Sequence, residues 1–241
     1  MYYRTVAQLK NLNMKTFEEV LDVQKEEQGF RVFTTKGEYT SKYVVVATGY
    51  YDNPNELNVP GADLPHVHHY FKEAHPYYGL DVVIIGGKNS AIDAGIELAH
   101  AGANVTAVYR GSDYSPSVKP WVLPSFESLV RHEVAQMHFD SEVVEITESE
   151  VIIDKKGERL TVKADAVFAM IGYHPDFEFM RKLGIEIDDA TGCPAFDEET
   201  METNVPGLFI AGVIAAGNDA NSIFIENGKF HGCQIANALK K

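Results

Sequence analysis

One stretch constrains the fold of this chain more than any other. Val82-Val-Ile-Ile-Gly86-Gly87-Lys88-Asn89-Ser90-Ala91-Ile92-Asp93 joins a β-branched run, a glycine pair and the opening of a helical pattern. The run Asp81–Ile85 is of the kind buried on both faces of a parallel sheet. Asn89–Ala101 spaces Ile92, Ile96 and Ala99 along one apolar stripe, and Gly102 reads as its C-cap. Asn104–Val108 is the next strand. Strand, turn, helix and strand within about 30 residues make a βαβ unit with a right-handed crossover, and the fold class is α/β.

The turn sits where a dinucleotide fingerprint sits, directly after a strand and opening a helix. Gly86 permits the tight turn, and the amides of Asn89, Ser90 and Ala91 offer free N–H groups to a pyrophosphate at the positive end of the helix dipole. Ala91 is small enough for close helix–strand packing. The pattern is broken at Lys88, which occupies the middle glycine position. Lys88 either supplies a cation to a phosphate or marks a purely structural βα loop. The end of the second strand favours a ligand. There an acid would hold a ribose 2′-hydroxyl, but the chain reads Val108-Tyr109-Arg110-Gly111, with Arg110 standing 19 residues beyond Ala91. A guanidinium at that place suits a 2′-phosphate, with Lys119 adding charge, so NADPH is the expected ligand.

Elsewhere the reading is coarser. A helix is expected around Val6–Leu12, with strands at Phe30–Thr35 and Tyr39–Val46. Trp121–Val134 reads as helical. Val143–Thr147, Val151–Asp154 and Leu160–Val162 read as an antiparallel meander turning at Lys156-Gly157. Ala166–Ile171 is a buried strand, Phe177–Leu183 a short helix, Leu208–Ala211 a strand and Asn227–Leu239 one long terminal helix. Two strand ends, Ala47-Thr48-Gly49 and Ala211-Gly212, carry small residues that leave backbone open to a ligand. They flank the βαβ stretch, which suggests one domain interrupted by another.

Composition removes several classes. The 241 residues carry a formal charge of −14, which repels nucleic acid and anionic lipid surfaces. No apolar run approaches the ~20 residues of a membrane span, and the first residues have no apolar signal core. Cys193 and Cys233 are the only cysteines, too few for a disulfide framework, so a cytoplasmic setting is expected. His66, His68, His69 and His75 match no standard zinc spacing and read as packing, so no metal is expected. Trp121, Tyr77, Tyr78 and Phe224 also read as packing. No catalytic residue is assigned. A homo-oligomer is left open.

The order of Ala47-Thr48-Gly49, Val59-Pro60-Gly61, Gly86-Gly87-x-x-Ser90-Ala91, Tyr109-Arg110, Ile171-Gly172 and Pro206–Gly212 resembles the thioredoxin-reductase-like flavoproteins. The strings Ile85–Ala91, His69–Gly79 and Gly212–Asn221 are similar to the bacillithiol-disulfide reductase branch. The resemblance implies a Rossmann-like NAD(P)-binding domain, residues 76–172, inserted into an incomplete FAD/NAD(P)-binding domain, residues 1–75 and 173–241. It also implies NADPH and FAD as cofactors and a small-molecule disulfide as substrate. Ala47, Thr48, Gly49, Gly212 and Val213 would line the flavin, and the terminal helix from Asn227 would point its N-terminus at the flavin ring.

The departures from that family are specific. No CxxC precedes the glycine turn, so a thioredoxin-reducing dithiol is excluded. The first glycine is Gly29, so neither the family's first GxGxxG turn nor the reactive cysteine of the branch is present in these residues. The expectation is a chain lacking roughly the first quarter of a two-domain member. It would bind FAD weakly or not at all and would be unable to complete catalysis. A flavin monooxygenase-like enzyme, a ferredoxin–NADP reductase-like enzyme and a non-catalytic NADPH-binding module are the alternatives.

Overall fold

A computed structural model describes residues 2–219 and 222–240. The chain divides into two compact units, residues 1–53 with 174–241, and residues 54–173. The first begins with α1 (Tyr2–Leu9), which starts and ends earlier than the expected Val6–Leu12. Three antiparallel strands follow in spatial order, β1 (Val20–Glu26), β2 (Gly29–Thr34) and β3 (Gly37–Ser41). β1 was not anticipated, because only Val23 along it is buried and its charges mask the alternation. The expected strand Tyr39–Val46 is broken in two. β3 pairs with β2, whereas β4 (Val44–Val46) leaves that sheet and runs parallel to a strand from the far end of the chain.

The second unit is built on a five-stranded parallel sheet. Its elements are β5 (Val67–His68), β6 (Asp81–Ile85), α2 (Asn89–His100), β7 (Asn104–Val108), α3 (Leu123–Arg131), β8 (Ala135–His138), the antiparallel meander β9 (Ser141–Ile146), β10 (Glu150–Lys155) and β11 (Glu158–Lys163), and β12 (Ala166–Ala169). The sheet order is β5-β12-β6-β7-β8. From β6 onward this is the doubly wound arrangement, with its switch point between β6 and β12. Val82 and Ile84 of β6 pack on the helix side with Leu98, Phe126 and Phe168. Val83 and Ile85 pack on the other side with Val151, Ile153 and Val167. That two-sided burial is why β6 is apolar at four consecutive positions rather than alternating.

Local rules explain the rest of this unit. The apolar stripe of α2 runs through Ile92, Gly95, Leu98 and Ala99, while Ile96 is only half-buried. A Cβ on Gly95 would come within 2.7 Å of the Phe126 ring, so glycine lets α3 approach. Gly102, at φ +90°, ends α2 with its N–H on Ala99 O and the Ala103 N–H on Leu98 O, a Schellman motif. The meander turns at Lys156 and Gly157, both at positive φ, with Asp154 accepting from the Gly157 N–H at 2.8 Å. β8 was unanticipated, because Ala-Gln-Met-His lacks β-branched residues. The expected boundary at residue 76 is corrected to 54. Pro60 O accepts from Ile146 N, His66 O accepts from Val167 N, and β5 pairs with β12, so the proline-bearing loop belongs to this unit.

The chain then returns to the first unit with α4 (Phe177–Lys182), β13 (Leu208–Ile210), α5 (Ile225–Gly228) and α6 (His231–Ala238). Asp176 caps α4 by accepting from the Phe179 N–H. β13 pairs in parallel with β4, and Leu208, Ile210, Ile214 and Met180 are fully or almost fully buried there. The expected single helix Asn227–Leu239 is two short helices, interrupted at Lys229 and Phe230. Trp121 is 76% exposed and Phe224 is 58% exposed, so these two are not packing residues, while Tyr78 lays its ring over Gly102 and Tyr77 stacks edge-on against Phe168. Among the described residues no helix is long and apolar enough to cross a membrane.

Two outcomes follow from this packing. Phe126→Ala empties a fully buried site between α2, α3 and the sheet and lowers stability by about 3–5 kcal/mol in urea unfolding. Burial, first, and the neighbouring His66 and His69 hold His68 below its ordinary pKa, and burial and then Lys155 do the same for His138. The unfolded chain takes up those protons first. Stability is therefore full above about pH 6.5 and falls as pH drops through that value toward the lowered folded pKa values. Urea midpoints measured across this range fall on acidification, and His138→Leu flattens the slope.

Candidate functional site

The glycine turn lies at the carboxyl end of β6, beside the switch point, where open α/β sheets bind ligands. Gly86 is buried at φ +142°, and its N–H donates to Val108 O at 2.9 Å. A Cβ there would strike the carbonyl of Met170 at the end of β12, so this turn tolerates only glycine. Gly87 is also buried, for a different reason. The Tyr109 ring lies across it, and a Cβ would meet that ring within 2.6 Å of Cδ2. The same ring covers Gly111, where a Cβ would lie 2.5 Å from Cε1. Tyr109 thus packs on two glycines.

The N-terminus of α2 is open. Lys88 is its N-cap residue, in extended conformation, and no side chain caps the helix. The first internal bond runs from the Ile92 N–H to Lys88 O at 3.1 Å, which leaves the amides of Asn89, Ser90 and Ala91 ahead of it. Asn89 does not cap either. Its Nδ2 donates to Ser117 O at 2.8 Å and its Oδ1 accepts from the Lys119 N–H at 2.9 Å. The segment after β7, which carries Arg110 and Lys119, is therefore bonded to the first residue of α2. Lys88, Arg110, Lys119 and Ser90 are exposed, and among the described residues none of the three cations forms an ion pair. In a chain of charge −14 these are uncommitted positive charges beside an uncapped helix end. A pyridine dinucleotide phosphate fits these residues.

The second predicted site lies in the other unit and is partly assembled. Ala47, Thr48 and Gly49 line a groove of about 610 Å³ with Val20, Val32 and Phe179. Gly212 and Val213 do not line it, and the Gly212 N–H is taken by His231 Nδ1 at 3.1 Å. Burial lowers the His231 pKa, which suits a neutral ring that accepts there. The polar lining includes the carboxylates of Glu19, Asp52 and Asp176 and no lysine or arginine. A complete flavin dinucleotide does not fit these residues, because its diphosphate would face acids with no cation. In place of the expected helix end at Asn227 stands the short α5, in which Asn227 Oδ1 accepts from the Phe224 and Gly228 N–H groups. Of the string Gly212–Asn221, Ala220 and Asn221 lie outside the described residues.

The remaining predicted residues take ordinary places. His68 packs on Phe168 and Tyr77. Cys193 and Cys233 are free thiols. Among the described residues no group of three or more histidine, cysteine, aspartate or glutamate side chains could hold a metal ion. The sequence reading missed the side-chain bonds of Asn89 and the clamp on Tyr109. The glycines at 87 and 111, flanking the turn and the tyrosine, were the signal available for the second.

This geometry defines a doubly wound α/β protein with a dinucleotide-type glycine turn, and comparison with known proteins narrows the class. The family model for pyridine nucleotide-disulphide oxidoreductases matches residues 1–212. The chain belongs to that family, in its bacillithiol-disulfide reductase branch. It is 57% identical to the bacilliredoxin reductase Bdr of Bacillus subtilis (strain 168), over all of this chain and 75% of the relative. The solved bacillithiol disulfide reductase of Bacillus cereus superposes with a TM-score of 0.95 at 57% identity, covering 98% of this chain and 75% of that one. That of Staphylococcus aureus gives 0.95 at 56%, covering 99% and 74%. The chain thus spans about three quarters of the length of these relatives.

A double-mutant cycle checks the clamp. Gly87→Ala costs about 1–3 kcal/mol by crowding the ring. In a Tyr109→Ala background the same change costs no more than about 0.5 kcal/mol, because the ring it would strike is gone.

Proposed function

We propose that this chain is the NADPH-binding part of an oxidoreductase that reduces a low-molecular-weight thiol disulfide. The observation that carries the reading is the uncapped start of α2 with Arg110 and Lys119 bonded alongside it through Asn89. The amides of Asn89, Ser90 and Ala91 hold the pyrophosphate, with Gly86 and Gly87 letting the turn pack against Met170 and Tyr109 and Lys88 adding a cation. Arg110 and Lys119 take the 2′-phosphate, and the absence of an acid at the end of β7 avoids repelling it. NADPH supplies a hydride when bound. The substrate class is that named for the relatives at 56% and 57% identity. A cytoplasmic setting belongs to the same reading, supported by two unpaired thiols.

The acidic groove beside Ala47–Gly49 supports a second reading, in which these residues bind NADPH and do not turn over the disulfide. Both readings share one test. Wild-type protein binds NADPH at least tenfold more tightly than NADH by fluorescence titration, and Arg110→Ala removes most of that preference. Equal affinity for the two cofactors in the wild type sinks the 2′-phosphate assignment. Steady NADPH consumption with a bacillithiol-type disulfide would decide against the second reading, and bound NADPH without consumption would favour it.

A further inference from the structure

Two contacts tie the glycine turn to the segment that carries the cations, and both are made by residues whose side chains need not touch a ligand. Asn89, the first residue of α2, uses both ends of its amide on the backbone of that segment, at Ser117 O and Lys119 N. The Tyr109 ring packs on both Gly87 and Gly111, so the turn and the start of the segment share one side chain. The backbone around Tyr109 is fixed as well. Its N–H donates to His138 O at 2.9 Å, its carbonyl accepts from Ser141 N at 3.1 Å, and Gly111 O accepts from Asp140 N at 2.9 Å. Farther along, Val118 is buried in the helix-side core and Tyr114 packs on Phe126 and Phe139. Those apolar anchors hold the segment to the body of the unit. Asn89 and Tyr109 set its register against the turn.

We propose that Asn89 and Tyr109 are positioning residues for cofactor choice. They fix Arg110 and Lys119 relative to the start of α2, so that a dinucleotide whose pyrophosphate sits on the helix end meets the cations with its 2′-phosphate. The physical reason is geometric. A guanidinium–phosphate pair is directional, and a cation on a segment free to shift pays ordering entropy on binding that a pre-set one does not. The capping position is held by Lys88, whose side chain offers no acceptor to the first amides. Asn89, one residue on, bonds across to the segment, and the helix end stays open to an anion. The inference rests on the NADPH reading above and adds the residues that make the reading selective.

The test compares NADPH, NADH and 2′,5′-ADP titrations of the full chain in wild type, Asn89→Ala, Tyr109→Ala, Tyr109→Phe and Arg110→Ala. Thermal unfolding shows that each variant is folded, and hydrogen exchange follows residues 111–119. Asn89→Ala is expected to lose about tenfold in NADPH and 2′,5′-ADP affinity with NADH binding little changed, so the preference falls toward that of Arg110→Ala. Exchange across 111–119 rises in the same variant. Tyr109→Phe keeps the ring and the preference, and Tyr109→Ala loses both. Equal weakening of NADPH and NADH in Asn89→Ala would mean a merely structural role and overturn the inference. So would an intact preference in Asn89→Ala alongside a lost one in Arg110→Ala, and that result leaves the NADPH reading standing. A wild type with no preference fails the Arg110 assignment itself, and the inference with it.

Discussion

The second unit depends on how closely backbone can approach backbone at the end of β6. Gly86 presses against the carbonyl of Met170, and Gly87 lies under the ring of Tyr109. The end of α2, the end of β7 and the end of β12 converge at this point because neither glycine carries a Cβ. A side chain at either position would push one of those elements away and open the crevice that the sheet's switch point creates. The buried strands β6 and β12 supply the rigidity behind it, with Val83, Ile84 and Val167 fully removed from solvent.

The charge distribution follows the same logic. A chain of −14 repels anions over most of its surface, and the two units treat that excess differently. Beside α2, three cations stand uncommitted near an uncapped helix end. In the first unit, Glu19, Asp52 and Asp176 line the groove beside β4 without a compensating base. Uncommitted cations beside an open helix end are thus a feature of the second unit and not of that groove's lining. The parallel pair β4–β13 carries small residues at its strand ends, and Ala47, Thr48 and Gly49 line that groove.

Much of this was legible in the residues. β6, α2, β7 and the meander with its Lys156-Gly157 turn follow from β-branched runs, helical spacing and turn chemistry, because burial on a defined face leaves a periodic trace. The family was legible through the order of its glycine turns. Elements held by pairing alone were not. β1 is charged and mostly exposed, β8 is four residues without a β-branched side chain, and β5 is two residues long. Each exists because a neighbouring strand offers hydrogen bonds, a partner that its own sequence does not encode. The terminal helix failed for a related reason, since Asn227 bonds the backbone at 224 and 228 and the helix restarts at His231.

Sequence by itself determined the fold class, the place of the glycine turn and the cations proposed for it, because glycine, β-branched runs and net charge act locally or in sum. Only the tertiary structure decided what Asn89 and Tyr109 do. Asn89 lies 28 residues from Ser117 and 30 from Lys119, and the Tyr109 ring meets glycines on two different segments. A side-chain bond across such a separation has no periodic signature along the chain. It exists because the sheet brings the ends of β6 and β7 side by side.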